Sequence, residues 1–130
     1  MSDQTAPKRN ILVVDDNISV RTMLVEILEA QDANLKVHTA SNGKDALDLF
    51  DTIQFELVIT DEVMPRMGGS ALFKEIRSRG IDCPVIIITG LTAKEITSNF
   101  TDELTNYNVV EKPIRIAELT QHVKRALKLS

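Results

Sequence analysis

The chain has 130 residues, the size of one domain, with 43% hydrophobic and 26% charged residues, as in an ordinary soluble globular protein. A net charge of −4 with no lysine/arginine block argues against nucleic acid as the direct partner, and the single cysteine, Cys83, excludes an internal disulfide and fits a reducing, cytoplasmic setting. No apolar run approaches the roughly 20 residues of a membrane helix, and the polar start lacks a signal-peptide apolar stretch.

Residues 1 to 9 are polar, contain Pro7, and read as a short flexible tail ahead of a single domain over 10–130. Ile11-Leu12-Val13-Val14 predicts a strand covered on both faces, as in the middle of a parallel sheet. Asn17 then stands where it can cap a helix whose Val20, Met23, Leu24, Ile27 and Leu28 follow helical spacing. Leu35-Lys36-Val37-His38-Thr39 alternates, which suits a half-exposed edge strand. Asn42 heads a second helix with Gly43, Ala46, Leu47 and Phe50 on one face.

Leu57-Val58-Ile59 is the second solid apolar run, and Gly69, Leu72, Phe73 and Ile76 mark a third helix stopped by Gly80. Val85-Ile86-Ile87-Ile88 is the third run, with Cys83 read as a small buried residue near its start. The segment at about 93–104 has only a narrow stripe, Ile96, Phe100 and Leu104. Its remaining surface is Thr97, Ser98, Asn99, Thr101 and Asp102, all mediocre helix formers, so it is expected to be the least rigid helix. A short strand at about 107–110 and a helix entered through Pro113, with Ile116, Leu119, Val123 and Leu127 on one face, complete the chain.

Five strands alternating with five helices predict a doubly wound α/β domain with a five-stranded parallel sheet. The alternating second strand belongs at an edge, which gives the order 2-1-3-4-5 and a reversal of winding between strands 1 and 3. Open α/β sheets bind ligands in the crevice at such a point. Asp15, Asp16 and Asp61 end the strands that meet there, Thr89 ends the third solid run, and Lys112 follows Val109-Val110. Two unit charges about 4 Å apart repel by roughly 4 kcal/mol at an effective dielectric near 20, so three clustered carboxylates call for a cation. The constellation predicts a metal and phosphoryl site.

The segments Ile11-Leu12-Val13-Val14-Asp15-Asp16, Asp61-Glu62-Val63-Met64-Pro65-Arg66-Met67-Gly68-Gly69, Thr89-Gly90 and Lys112-Pro113, in that order, resemble the receiver domain of bacterial response regulators, of the chemotaxis-regulator type. The resemblance covers about residues 9 to 129 and implies a flavodoxin-like (βα)5 fold. It implies that Asp61 is the phosphoryl acceptor in a two-component system. Mg2+, with Mn2+ as an alternative ion, would be bound directly by Asp16 and Asp61, mainly through water by Asp15, and by the backbone carbonyl of Val63. Thr89 would hydrogen-bond a phosphoryl oxygen, Lys112 would pair with Asp61 or its phosphoryl group, and the Lys112-Pro113 bond would be cis. The implied partners are a histidine kinase or histidine phosphotransfer protein and a downstream protein target. That target would be met on a face built from helix 4, strand 5 and helix 5, by a monomer or weak dimer. No enzyme activity beyond self-phosphorylation and self-dephosphorylation is implied.

Three positions depart from the family's common pattern. Val109 stands where an aromatic switch residue is frequent, and Tyr107 lies two residues earlier on the same side of the strand. Val63 and Leu91 stand two residues after Asp61 and Thr89, where fast-cycling relatives are often polar, which implies slow self-dephosphorylation. Thr105-Asn106-Tyr107-Asn108 replaces the usual small-residue loop before strand 5. Glu62 reads as a solvated rim residue, Arg77 and Arg79 as partners of a helix dipole, and His38 and His122 as structural.

Two other functions share parts of the pattern. A haloacid-dehalogenase-type phosphohydrolase also uses a strand-end aspartate with Mg2+, but wants Asp-x-Asp after the first strand, where this chain has Asp15-Asp16-Asn17. A receiver-shaped module that is never phosphorylated would not need all five positions filled. No glycine-rich phosphate loop follows the first strand, which disfavours a nucleotide-binding domain. The stop at Ser130 without a linker leaves two expectations, a free-standing receiver or a piece excised from a larger regulator, and favours the first.

Overall fold

A computed structural model describes residues 8–129. The elements are β1 (Arg9–Val14), α1 (Ile18–Glu29), β2 (Leu35–Ala40), α2 (Gly43–Leu49), β3 (Leu57–Asp61), α3 (Gly69–Ser78), β4 (Val85–Thr89), α4 (Ala93–Thr97), β5 (Tyr107–Glu111) and α5 (Ile116–Leu127). The five strands form one parallel sheet in the order β2-β1-β3-β4-β5. The expected order and fold are therefore found. Most of the expected tail, residues 1–7, lies outside the described residues, and Arg9 already pairs with Leu35 in β1.

The three apolar runs become the central strands because helices cover both faces, so every residue of β3 and β4 is buried. Successive side chains alternate between two cores. Leu12, Val14, Val58, Val85 and Ile87 face α2, α3 and α4, whereas Ile11, Val13, Leu57, Ile59, Ile86 and Ile88 face α1 and α5. Deleting one of these large side chains to alanine costs about 2–5 kcal/mol by loss of burial plus the cavity left behind. The edge strand β2 is less cleanly alternating than its sequence: Leu35 and Val37 join the α1/α5 core, but Ala40 is buried on the other face.

Both asparagine caps form as read: Asn17 accepts from the Val20 N–H at 3.1 Å and Asn42 from the Asp45 N–H at 2.8 Å. Gly80, at φ 79°, follows the end of α3 in the left-handed conformation that glycine adopts without strain. Cys83 is buried next to β4, and burial raises its thiol pKa, against the pull of Arg77.

Two expectations are corrected. The fourth helix ends at Thr97 instead of running to about 104. The Ser98 hydroxyl turns back to the Glu95 carbonyl at 3.0 Å, the competition that makes serine a poor helix interior, and Phe100 and Leu104 then pack from turns. Ile116 lies on the helical stripe of α5 but is 57% exposed, because it sits at the first turn, beyond the reach of the sheet.

Candidate functional site

The parallel register brings the strand ends to one edge. Val14 pairs with Thr60, Asp61 with Ile88, and Thr89 with Glu111, so Asp15, Asp61, Thr89 and Lys112 follow one another across the sheet. One carboxylate oxygen from each of Asp15, Asp16 and Asp61 lies within 4.8 Å of the others. Asp15 is 3% exposed and Asp61 7%, whereas Asp16 is open to solvent. Lys112 Nζ stands 3.1 Å from Asp61 Oδ1.

The local chain explains these placements. The Asp15 amide donates to the Ala40 carbonyl at 3.1 Å, and its Oδ1 accepts the Asn17 N–H at 2.9 Å, which turns the chain into α1. Arg21 Nη1 donates to the Asp15 carbonyl at 2.7 Å and so fixes the same turn from within the helix. Behind Asp61 the chain returns closely: the Gly69 N–H donates to the Glu62 carbonyl at 3.0 Å. A Cβ at Gly69 would stand 2.5 Å from the Asp61 carbonyl oxygen, and one at Gly68 2.5 Å from that of Glu62, so neither position tolerates a side chain.

Within that loop the Met67 N–H donates to the Pro65 carbonyl at 2.7 Å across Arg66, whose φ is 69°. This is a tight three-residue turn of a strained kind, pinned to α2 by the Gly43 N–H on the Met67 carbonyl at 2.9 Å and by an Arg66–Asp45 contact of 3.2 Å. Val63, on the same loop, is 75% exposed.

Burial above all raises the Asp15 carboxyl above its ordinary pKa, and Asp61 and Asp16 push the same way, against the Asn17 amide and Lys112. A single ammonium at 3.1 Å cannot neutralise three carboxylates. All the donors are hard oxygens, the set Mg2+ prefers. Oxygens bound to one Mg2+ at about 2.1 Å lie at most about 4.2 Å apart, which is comparable with the 4.8 Å within which these three oxygens lie. The residues present therefore fit the ion.

Thr89 is 1% exposed, and its Oγ1 accepts the Leu91 N–H at 2.9 Å. The Lys112 N–H donates to the Thr89 carbonyl at 2.7 Å, and the Lys112-Pro113 bond is cis. Val109 and Tyr107 lie on one face of β5, as their spacing implied. Tyr107 belongs to a stack with Phe100 at 5.2 Å and Phe73 at 5.1 Å between ring centres. A hollow of about 780 Å3 at the other end of the sheet, between the 50–56 and 80–84 segments, contains none of these strand-end residues.

Three residues contribute in ways that their sequence positions did not suggest. Glu62 is not a solvated rim residue: its carboxylate accepts the Ser70 N–H at 2.7 Å and the Ser70 hydroxyl at 2.8 Å, capping α3 from the other side of the loop. Arg77 lies over the Phe73 ring at 4.7 Å and donates to the carbonyls of Thr105 and Asn106 at 3.0 Å each, which holds the segment before β5. Glu111 accepts the Ala93 N–H at 2.7 Å. The Thr/Glu capping signature at Thr92 and Glu95 was available in the sequence; the other contacts join residues too far apart for any local signal.

Comparison with known proteins agrees with this geometry. The model of the response regulator receiver domain matches residues 11–124. The regulatory protein AtoC of Escherichia coli is 38% identical over 119 residues, covering 92% of this chain but 25% of AtoC. The probable transcriptional regulator ycf27 of Cyanophora paradoxa is 35% identical, covering 93% of this chain and 49% of that protein, so the chain spans a quarter to a half of these curated relatives. The crystal structure of the response regulator TrrA from Thermotoga maritima, in complex with Mg2+-BeF, superposes with a TM-score of 0.76 at 32% identity, covering 91% of this chain and 98% of TrrA. Four motifs in order, the sheet that gathers them and the match over residues 11–124 show that this chain belongs to the response regulator receiver family.

Proposed function

We propose that the chain is a phosphorylation-controlled switch of a two-component system in which Asp61 accepts a phosphoryl group from a phosphohistidine on a partner protein. The observation that carries this reading is the buried Asp61 carboxylate, which shares a 4.8 Å cluster with Asp15 and Asp16 and meets Lys112 at 3.1 Å. In the step, an Asp61 carboxylate oxygen bonds to phosphorus as the phosphorus–nitrogen bond breaks. The electron pair leaves with the imidazole, and an acyl phosphate remains on Asp61. Asp16, Asp61 and the Val63 carbonyl, with Asp15 through water, would hold Mg2+, whose charge would offset that of the transferring group. Lys112, 3.1 Å from Asp61, would supply a second cation, and Thr89, at the end of the adjacent strand, would donate its hydroxyl to the new phosphoryl oxygens. The work of the chain is positioning and charge.

The surface favours a protein donor over a small ester. Among the described residues the exposed large apolar side chains are Ile18, Val63, Leu91 and Ile116, and each follows a site residue by two to four positions. An apolar rim around a charged centre suits docking of another protein. A histidine kinase or phosphotransfer protein supplies that chemistry, and a downstream protein would read the face of α4, β5 and α5.

The test is incubation with Mg2+ and a small acyl phosphate, followed by intact mass. One hydroxylamine-labile phosphoryl adduct is expected in the wild type and none in Asp61→Asn. Continuous release of phosphate from simple esters would favour a phosphohydrolase instead.

A further inference from the structure

β5 presents one row of side chains toward the α4 segment. Tyr107, Val109 and Glu111 alternate onto that face, and Tyr107 and Val109 pack in the layer of α2, α3 and α4. Glu111 lies opposite Thr89 in the register, and its carboxylate accepts the Ala93 N–H at 2.7 Å. Ala93 is the first residue of α4, so its N–H has no partner within the helix. Beyond the other end of α4, the Phe100 ring is held edge-on by Phe73 and Tyr107, each at 5.2 Å.

The two ties differ in kind. The one at Phe100 is aromatic and braced by Arg77, whereas the one at Ala93 is a single charge-assisted hydrogen bond at the surface. Val109, between them, has no ring to turn.

The surface tie is joined to the candidate site by a short path. Lys112, the neighbour of Glu111, donates its N–H to the Thr89 carbonyl at 2.7 Å and carries the ammonium that meets Asp61. Thr89 Oγ1 accepts the Leu91 N–H at 2.9 Å, which folds residues 89–91 into a turn. The next residue, Thr92, caps α4, exchanging contacts of 3.1 Å and 2.7 Å with Glu95. A phosphoryl group on Asp61 can only accept hydrogen bonds, so it draws the Thr89 hydroxyl as a donor, together with the turn built on it. Movement of that turn would carry Thr92 and Ala93 with it and would part the Ala93 N–H from Glu111.

We propose that the Glu111–Ala93 contact is a latch on the resting position of α4, and that this chain reads out phosphorylation as release of the latch. Glu111 is thus a positioning residue, and the mechanism rests on the reading of Asp61 as the phosphoryl acceptor. A bond made only in the resting state opposes the phosphorylated one, so removing it strengthens binding of a phosphoryl mimic.

The test uses the full chain and its Glu111→Ala and Glu111→Gln variants. Amide hydrogen exchange without Mg2+ or mimic should show faster exchange over residues 93–97 in Glu111→Ala. Titration with Mg2+ and beryllofluoride should show tighter binding, by about threefold to tenfold. Glu111→Gln keeps the shape and an acceptor but loses the charge, and should move both readouts the same way by less. A purely structural role would weaken mimic binding. Unchanged or weaker binding in both variants overturns the latch. If the wild type itself fails to bind beryllofluoride, the phosphoacceptor reading falls, and unchanged exchange over 93–97 then overturns the latch by itself. If Glu111→Ala does not fold, Glu111→Gln decides both arms.

Discussion

Without a bound cation, the site works against the stability of the fold, and Asp15→Asn should expose this. Asp15 and Asp61 are both almost fully buried, and their carboxylate oxygens lie within 4.8 Å. Two charges at that distance repel by about 3.5 kcal/mol at an effective dielectric of 20. Lys112 offsets part of this through Asp61, and the exposed Asp16 is screened by solvent. Asparagine keeps the oxygen that accepts the Asn17 N–H at 2.9 Å. Asp15→Asn is therefore expected to stabilise the metal-free protein by on the order of 1–3 kcal/mol. Urea unfolding in EDTA at neutral pH measures this as a higher midpoint with unchanged slope.

The sign with pH follows from linkage. The native Asp15 pKa is raised above its ordinary value of 3.8, so between the two values the native state holds a proton that the unfolded state has released. Wild-type stability should fall as pH rises through that window, and the variant should lack this component. Saturating Mg2+ should reverse the order, because only the wild type keeps the full ligand set and gains from binding. An Asp15→Asn variant equal to or less stable than wild type in EDTA would refute the electrostatic reasoning.

Other variants test separate parts of the structure. Gly69→Ala forces a methyl group to within 2.5 Å of the Asp61 carbonyl oxygen, and should cost about 1–3 kcal/mol in urea unfolding and impair Mg2+ binding. Val63→Asn with Leu91→Glu replaces two exposed apolar side chains beside the site with groups that can orient water, and should shorten the life of the acyl phosphate on the order of tenfold or more. An unchanged lifetime would show that these side chains do not obstruct water. Burial lowers the His38 pKa below its ordinary 6.5, with Lys36 adding to it. Below that pH the unfolded state gains a proton that the native state resists, so stability declines as pH falls, and His38→Gln should flatten that part of the profile.

The fold was legible because β1, β3 and β4 are built on uninterrupted apolar runs of a kind found between two helical layers, and each run stops at a polar residue. Parallel strands ending in register turn residues 46 positions apart, Asp15 and Asp61, into neighbours, which is why the motif order could be read as a site. The extent of α4 was not legible. Phe100 and Leu104 keep helical spacing with Ile96, yet they pack from turns, and periodicity alone does not distinguish the two. Ile116 misled in the opposite direction, since a helical stripe continues past the point where the sheet can cover it. The roles of Glu62, Arg77 and Glu111 depend on partners 8 to 29 residues away that only folding brings close. Arg77 shows the difference well: helix-dipole reasoning explains its place in the last turn of α3 but not its bonds to two carbonyls in the segment before β5.

The central claim is that Asp61 carries the phosphoryl group, and reductive trapping tests it most directly. Borohydride converts an aspartyl phosphate into homoserine, so protein treated with Mg2+ and an acyl phosphate, reduced and digested, reports the modified position by peptide mass spectrometry. Homoserine at position 61 alone is the expected result, with a yield that collapses when Mg2+ is withheld. Homoserine at Asp15 or Asp16, or none in protein that binds Mg2+ normally, would contradict it.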